Sequence, residues 1–518
     1  MVKYGPSLTY CHPPPLMLKI DAVEDILIRL NIPYFLSLWD NILPLTALVI
    51  LYIIALIAAG HILLIKRDPR AALGWIVVCL GFPGLGVLFY VLFGINRIRT
   101  RAKEWQERDR WGLTAGQTRR KKVIIEVGEK QNFDYDTFRS LMHVSNTVTR
   151  RPIMKGCRFE PYHNAEEAYP AMIAAIENAE KSVYLCTYIY ENNQSGQEFA
   201  DAMARAEKRG VDVRLIVDAV GLWYSFPTAF HMLKKRGLNV VKFLPLSISK
   251  RSVHFNLRNH RKILVVDRKV GFTGGMNIGD SHYVTKGEPK SRVADIQFKV
   301  EGPVVAQLEE AFFEDWFFVT GERPPEPIVP INTKHGEALA RGITAGPNED
   351  FEKLRWIVNG AFACAKKHIR IMTPYFVPDA AMLTSIIAAR LKGVEIEIIL
   401  PHVNNLPYVG WASQAYLEEF LRYDVKLWYR KIPFAHSKVL IVDDFYVLLG
   451  SANLDTRSLR LNFEFNMEAY DRGLAEKMIA HFDDVKSHVI PITLVRMAKR
   501  PLLIKLRDAL AKLFSPYL

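Results

Sequence analysis

One pattern occurs twice in this chain, and it constrains the fold more than any other feature. Residues 259–277 read NHRKILVVDRKVGFTGGMN, and residues 435–453 read AHSKVLIVDDFYVLLGSAN. Both fit H-x-K-x4-D-x6-G-[GS]-x-N. The first copy supplies His260, Lys262, Asp267, Gly274, Gly275 and Asn277; the second supplies His436, Lys438, Asp443, Gly450, Ser451 and Asn453. The flanks repeat as well. Helical stretches at 171–179 and 199–209 alternate with strand-like 182–190 and 209–218, and 356–367, 368–376, 381–391 and 392–400 repeat that order. Strands rich in Val, Ile and Tyr that alternate with helices indicate parallel βαβ units. The expected fold is α/β: two pseudo-symmetric lobes, residues 150–330 and 331–490, with mixed or parallel sheets flanked by helices. PPEP at 324–327 and the polar residues up to 350 mark the boundary.

The motif has a chemical reading. Residues two apart on a strand share a face, so His260 and Lys262 point together, as do His436 and Lys438. The Gly-[GS]-x-Asn turn can offer backbone N–H groups and an amide to a phosphate oxygen, from Gly275 and Asn277 in one copy and Ser451 and Asn453 in the other. Two copies facing across a dyad would gather two imidazoles and two ammonium groups, a cationic pocket suited to a phosphodiester. One histidine can then attack phosphorus while the other acts as general acid and base, and the lysines stabilise the non-bridging oxygens. Asp267 and Asp443 complete the catalytic set, and because they end buried strands, an orienting or inter-lobe role suits them best. No carboxylate cluster with metal-ligand spacing accompanies the motifs, so neither metal nor cofactor is expected.

Two apolar runs precede the duplication. Residues 42–65 and 71–93 carry no formal charge. As helices they would measure about 36 and 34 Å, enough for a hydrocarbon core of ~30 Å. A two-helix transmembrane hairpin is expected, with Pro83 and its neighbouring glycines kinking the second span. It would leave the N-terminal arm (1–41) and the remainder on one face. Three basic residues lie between the runs and six between 97 and 110, so that face is expected to be cytoplasmic. Residues 106–149 read as a linker. Lys and Arg total 68 against 54 Asp and Glu, a net charge of +14. That balance suits nucleic acid or anionic lipid. Five scattered cysteines without a CxxC pair argue against disulfides and zinc.

The doubled motif resembles the phospholipase D superfamily over roughly residues 150–490. ALGWIVVCLGFPGLGVLFYVLFG (72–94), TGGMNIGD (273–280) and GSANLDTRSLRLNFE (450–464) are similar to the bacterial cardiolipin synthases within it. The resemblance implies two phospholipase D-like lobes and transfer of a phosphatidyl group between two phosphatidylglycerol molecules through a phospho-histidine, at the bacterial inner membrane. It implies His260 as nucleophile and His436 as acid and base. It also implies a carboxylate behind each histidine, with Glu464 expected for the second copy and Asp295 for the first. Rivals are a phospholipase D-type hydrolase, transfer to another alcohol, a membrane-tethered nuclease and a lipid-binding scaffold with a dead site. Two apolar spans and the lack of long basic runs in the catalytic region favour anionic membrane lipid as partner, with no nucleic acid, and the resemblance implies phosphatidylglycerol as that lipid. A homo-oligomer is compatible with the sequence, which sets no stoichiometry. Trp223, Tyr224, Phe226, Trp411 and Tyr416 are candidates for an acyl entrance. Finally, residues 491–518 form a basic tail whose leucines at 503, 506, 510 and 513 fall at helical spacing. Such a face suits either an anionic lipid surface or docking on the protein body.

Overall fold

The computed structural model describes residues 32–66, 69–95, 133–245, 257–346 and 352–515. The arm up to residue 31, the basic flank from 97 and the linker up to 132 lie outside them. The chain divides into two compact units, residues 1–100 and 101–518.

In the first unit Ile32–Ile65 is one helix of 34 residues, and its Pro44–Ile65 part is long and apolar enough to cross a membrane. The second apolar run, expected as a second span, is divided into shorter helical pieces. Its helix, Pro69–Gly81, has 13 residues and so rises only about 20 Å. The chain then turns and resumes as Leu85–Phe89 and a π-helical turn, Tyr90–Gly94. Pro83, which lacks an N–H, cannot continue the first helix. The resumed segment packs back on its predecessor: a Cβ at Gly86 would lie 2.1 Å from the Val78 carbonyl oxygen, so only glycine fits. His61 Nδ1 and the Tyr90 hydroxyl lie 2.7 Å apart, and Lys66 Nζ donates to the Gly94 carbonyl at 2.7 Å. The run therefore ends beside residue 66, where it began. It is a helical hairpin that doubles back on itself.

The second unit is built on one sheet of fifteen strands among the described residues. From the centre outwards, the first half runs Met154–His163, Ile296–Glu301, Val270–Gly274, Ile263–Val266, Ser182–Thr187, Asp212–Asp218 and Asn239–Phe243. The second half repeats this order with Ala338–Ala345, Glu464–Tyr470, Tyr446–Gly450, Val439–Val442, His368–Met372, Glu395–Pro401 and Lys426–Arg430, and adds Val489–Ile492 at its edge. The βαβ strands pair in parallel in both halves. They read as near-continuous Val, Ile and Leu because helices bury both faces. The two expected lobes are thus the halves of one mixed sheet, joined where Met154–His163 pairs antiparallel with Ala338–Ala345. One core runs beneath the seam: Phe312 and Trp316 of the Val305–Thr320 helix share it with Leu449, Met467 and Phe482.

Phe133–Thr149, expected as linker, is a helix of the second half. Phe138 and Leu141 enter that half's core. Ser145 Oγ donates to Glu468 at 2.8 Å, and Glu468 pairs with the fully buried Arg341. The chain therefore visits the second half before it builds the first.

Candidate active site

Each motif folds as strand, turn and strand. Ile263–Val266 pairs with Val270–Gly274, and Val439–Val442 with Tyr446–Gly450. At the turns Asp267 and Asp443 take left-handed conformations, φ 53° and 50°, which a short polar side chain tolerates. The Asp267 carboxylate accepts from the N–H groups of Glu180, Lys181 and Ser182 at 2.7–3.0 Å. That of Asp443 accepts from Lys366, Lys367 and His368 at 2.6–2.9 Å. This corrects their catalytic and inter-lobe reading. A whole strand separates them from the histidines, and each ties a helix–strand connection within its own half.

The other end of the motif lies at the seam. The His260 N–H donates to the Phe463 carbonyl at 2.8 Å, and Asn259 bridges Phe463 in parallel. Correspondingly, the His436 N–H donates to the Ala294 carbonyl at 2.8 Å, and Phe434–Ala435 pairs with Val293–Ala294. One residue past Phe463 is Glu464, and one past Ala294 is Asp295. The register therefore brings each imidazole to the carboxylate of the other half. His260 Nδ1 lies 3.1 Å from Glu464 Oε2, and His436 Nδ1 lies 2.7 Å from Asp295 Oδ2. The sequence had assigned each acid to the histidine of its own copy, and the structure exchanges them. A carboxylate on Nδ1 fixes the tautomer and leaves Nε2 for chemistry.

The charges form one system. Lys262 and Lys438 donate to the carbonyls of His260 and His436 at 2.7 and 2.5 Å. Burial lowers the lysines to about 7 and about 8, against the pull of Glu464 on Lys262 and of Asp295 on Lys438. Burial likewise lowers His260, and it takes His436, helped by Lys438, to about 3. Burial alone would raise the two acids. Lys438 and His436 instead hold Asp295 below the ordinary carboxylate range, and His260 and Lys262 do so for Glu464. Each histidine also feels the lysine of the opposite half. Two neutral imidazoles, two lysines and two carboxylates share one site, with the histidine side chains only 12% and 10% exposed.

Gly275 and Ser451 do not offer free N–H groups to a phosphate, which corrects that expectation. The Gly275 N–H donates to the Ile296 carbonyl at 3.3 Å and that of Ser451 to the Phe465 carbonyl at 3.0 Å. Instead they seat the acids. A Cβ at Gly275 would meet Asp295 Oδ1 at 2.4 Å, and Ser451 Oγ donates to Glu464 Oε2 at 2.5 Å. Asn277 accepts from the Ile189 N–H at 3.2 Å. Asn453 donates to Ser458 Oγ at 3.1 Å, while its own Oδ1 is buried without a protein partner. Among the described residues no group of three or more His, Cys, Asp or Glu is arranged to hold a metal ion.

Three residues were missed by sequence reasoning. The Tyr188 ring lies 5.1 Å from that of His260, with Lys262 Nζ 5.5 Å from its centre. Its place just past the end of a parallel strand was the signal, since ligands bind there in α/β sheets. Phe434 lies 5.8 Å from His436. His282, buried and lowered to about 4 by that burial, accepts the Asn277 N–H at 3.2 Å. Of the entrance candidates, Tyr224 stands 6.4 Å from Tyr188, with Trp223 and Phe226 exposed beside it. Trp411 and Tyr416 are instead overlaid by Arg507 and Lys512 of the C-terminal helix.

Comparison with known proteins agrees with this geometry. The family model described as cardiolipin synthase, PLD-like domain, matches residues 172–316 and 360–486. A phospholipase D-nuclease N-terminal model matches residues 53–94. A cardiolipin synthase of Geobacillus thermodenitrificans is 31% identical over 88% of this chain and 90% of its own. The major cardiolipin synthase of Bacillus subtilis is 28% identical over 88% of this chain and 95% of its own. In fold, the chain is similar to a phosphatidylserine synthase of Haemophilus influenzae, with a TM-score of 0.57 at 17% identity, over 73% of this chain and 99% of that one. A doubled histidine–lysine motif whose halves complete one another, in a chain matched along most of its length, has one explanation in descent: the chain belongs to the cardiolipin synthase family of phospholipase D-type enzymes.

Proposed function

We propose that this enzyme makes cardiolipin from two molecules of phosphatidylglycerol. The observation that carries this reading is the pair of crossed contacts, His260–Glu464 and His436–Asp295, an arrangement suited to holding one phosphodiester between both imidazoles and both lysines. His260 Nε2 attacks the phosphorus of the first lipid, and the bond to glycerol breaks. His436 gives its proton to the departing glycerol oxygen, and the phosphatidyl group stays on His260. The terminal hydroxyl of a second phosphatidylglycerol then passes its proton to His436 and attacks phosphorus, which breaks the P–N bond and releases cardiolipin.

Burial of His436 holds it neutral in the empty site. The negative charge of an incoming diester favours its protonated form, so the acid is made when the substrate arrives. Glu464 and Asp295 steady the two imidazolium states. Lys262 and Lys438, with the amides of Asn277 and Asn453, bind the non-bridging oxygens.

The substrate class agrees with an apolar helix at the head of the chain. In this topology Pro44–Ile65 crosses the membrane once and the re-entrant hairpin returns to the face it left. Both basic groups, 66–70 and 97–110, then belong to a single face, which the positive-inside rule makes cytoplasmic. The catalytic unit follows on that face.

The test is an assay of the purified chain in mixed micelles with labelled phosphatidylglycerol. One glycerol should appear for each four-chain lipid formed. Phosphatidic acid in place of the four-chain lipid would make the enzyme a hydrolase, and turnover of oligonucleotides without lipid turnover would make it a nuclease.

A further inference from the structure

The C-terminal helix, Leu502–Leu513, is docked the wrong way round for a helix in water. An amphipathic helix on a globular body buries its apolar stripe. Here the buried stripe contains Asp508, 1% exposed, with Ala511 and Ser515 along the same face. Asp508 is held by Arg500 and, at 2.8 Å, by Arg507. The Arg507 guanidinium lies over Trp411 at 4.6 Å, Lys512 over Tyr416 at 4.1 Å, and the Tyr416 hydroxyl meets Ser515 Oγ at 3.1 Å. These contacts fix the polar side of the helix against the Pro407–Arg422 helix. The leucines point away: Leu503 is 80% and Leu513 73% exposed, and Leu506 and Leu510 lie exposed between them.

A row of exposed leucines on an ordered helix is a binding face. Its surroundings identify the occupant. Residues 496–514 hold six Lys and Arg against a single acid, Asp508, and that acid is already paired inside. An apolar ridge within a basic field matches the acyl and headgroup layers of an anionic bilayer, whereas a neutral apolar partner would leave the charge without use.

We propose that this helix is a second membrane contact, separate from the N-terminal helix, which lays its leucine face into the interfacial layer of anionic lipid. The inverted docking serves this purpose. The ion pairs and ring contacts hold the helix on the body, and the leucines stay outside.

The experiment labels the full-length chain at Leu506→Cys with an environment-sensitive fluorophore. Cys11 and Cys364 are changed to serine; the other cysteines are buried and unreactive. A label at the exposed Glu476→Cys is the control. In nanodiscs of phosphatidylglycerol and phosphatidylethanolamine, the residue-506 label should shift to the blue and be quenched by acyl-brominated lipid. The control should do neither. The effect should weaken in discs of phosphatidylcholine alone and as salt is raised. An unshifted label at 506 in anionic discs would overturn the proposal. So would a shift already present in detergent that grows with protein concentration, which would give the face to a second copy. As a second readout, Leu503→Ser/Leu506→Ser/Leu510→Ser should retain the melting curve and micellar activity but lose about tenfold in activity on anionic vesicles. Equal activity on vesicles would also refute it, while the mixed-micelle assay judges the reaction independently.

Discussion

The two halves of the catalytic unit repeat each other strand for strand, yet they seat their acids differently. In the second half Ser451 Oγ and Asn462 Nδ2 both donate to Glu464, which reaches His260 at 3.1 Å. In the first half the position of Ser451 is taken by Gly275, because the shorter Asp295 stands where a Cβ would be. Asp295 takes the N–H of Ile296 at 2.8 Å and reaches His436 at 2.7 Å. Burial then acts unequally, lowering His260 and taking His436 to about 3. Duplication supplied an approximate dyad, and divergence at Gly275/Ser451 and Asp295/Glu464 made its two histidines distinct. Each imidazole is completed by a carboxylate of the opposite half.

This comparison can be broken at several points. His260→Ala and His436→Ala should each lower cardiolipin formation by at least about 10³-fold, with the protein still folded and membrane-bound. Near-normal turnover in either variant would end the division of labour. Next in size is Gly275→Ala. Its methyl group would displace Asp295, so turnover should fall about 10²-fold, close to Asp295→Asn, as measured by four-chain lipid formation. The equivalent change in the other half, Ser451→Ala, removes one hydrogen bond from Glu464 and should cost about tenfold or less. If the two alanines cost the same, the halves are not distinguished by how they hold their acids.

Smaller effects concern stability. Asp267→Ala and Asp443→Ala should each destabilise the folded chain by about 1–3 kcal/mol, because three N–H groups lose their acceptor. Turnover per folded molecule should stay within about twofold, since neither aspartate is near the histidines. A collapse in turnover at full stability would restore these aspartates to the chemistry. Smallest is the pH effect. Folded His282 and His436 stay neutral down to about 4 and about 3, whereas unfolded imidazoles gain a proton below ~6.5. The unfolded state therefore binds more protons in that window, and stability is lost as pH falls through it. His282→Gln should flatten the slope of melting temperature against pH between about 6 and 4.

Much of this was legible in the sequence, and the failures share a cause. The doubled motif disclosed the repeated half-sheet, the two imidazoles and the two lysines, because strand alternation and local spacing are properties of short segments. The crossing of Glu464 and Asp295 was not legible. It depends on register between Asn259 and Phe463, and between Ala435 and Ala294, residues from different halves. Hydropathy marked residues 71–93 as apolar and long enough to span. It does not record direction, and the reversal depends on Pro83 and on Gly86 packing at Val78. In the C-terminal helix the leucine spacing was plain, but which face docks was decided by Asp508 and its two arginines.

The central claim is that each imidazole works with the carboxylate of the other half. Its most direct test is a rapid-mixing burst with phosphatidyl-p-nitrophenol, a donor whose leaving group needs no proton. Glu464→Gln impairs the nucleophile His260, so the p-nitrophenolate burst should vanish. Asp295→Asn impairs only His436, so the burst should persist while later turnover slows. The reverse pattern, a burst in Glu464→Gln and none in Asp295→Asn, would contradict the account.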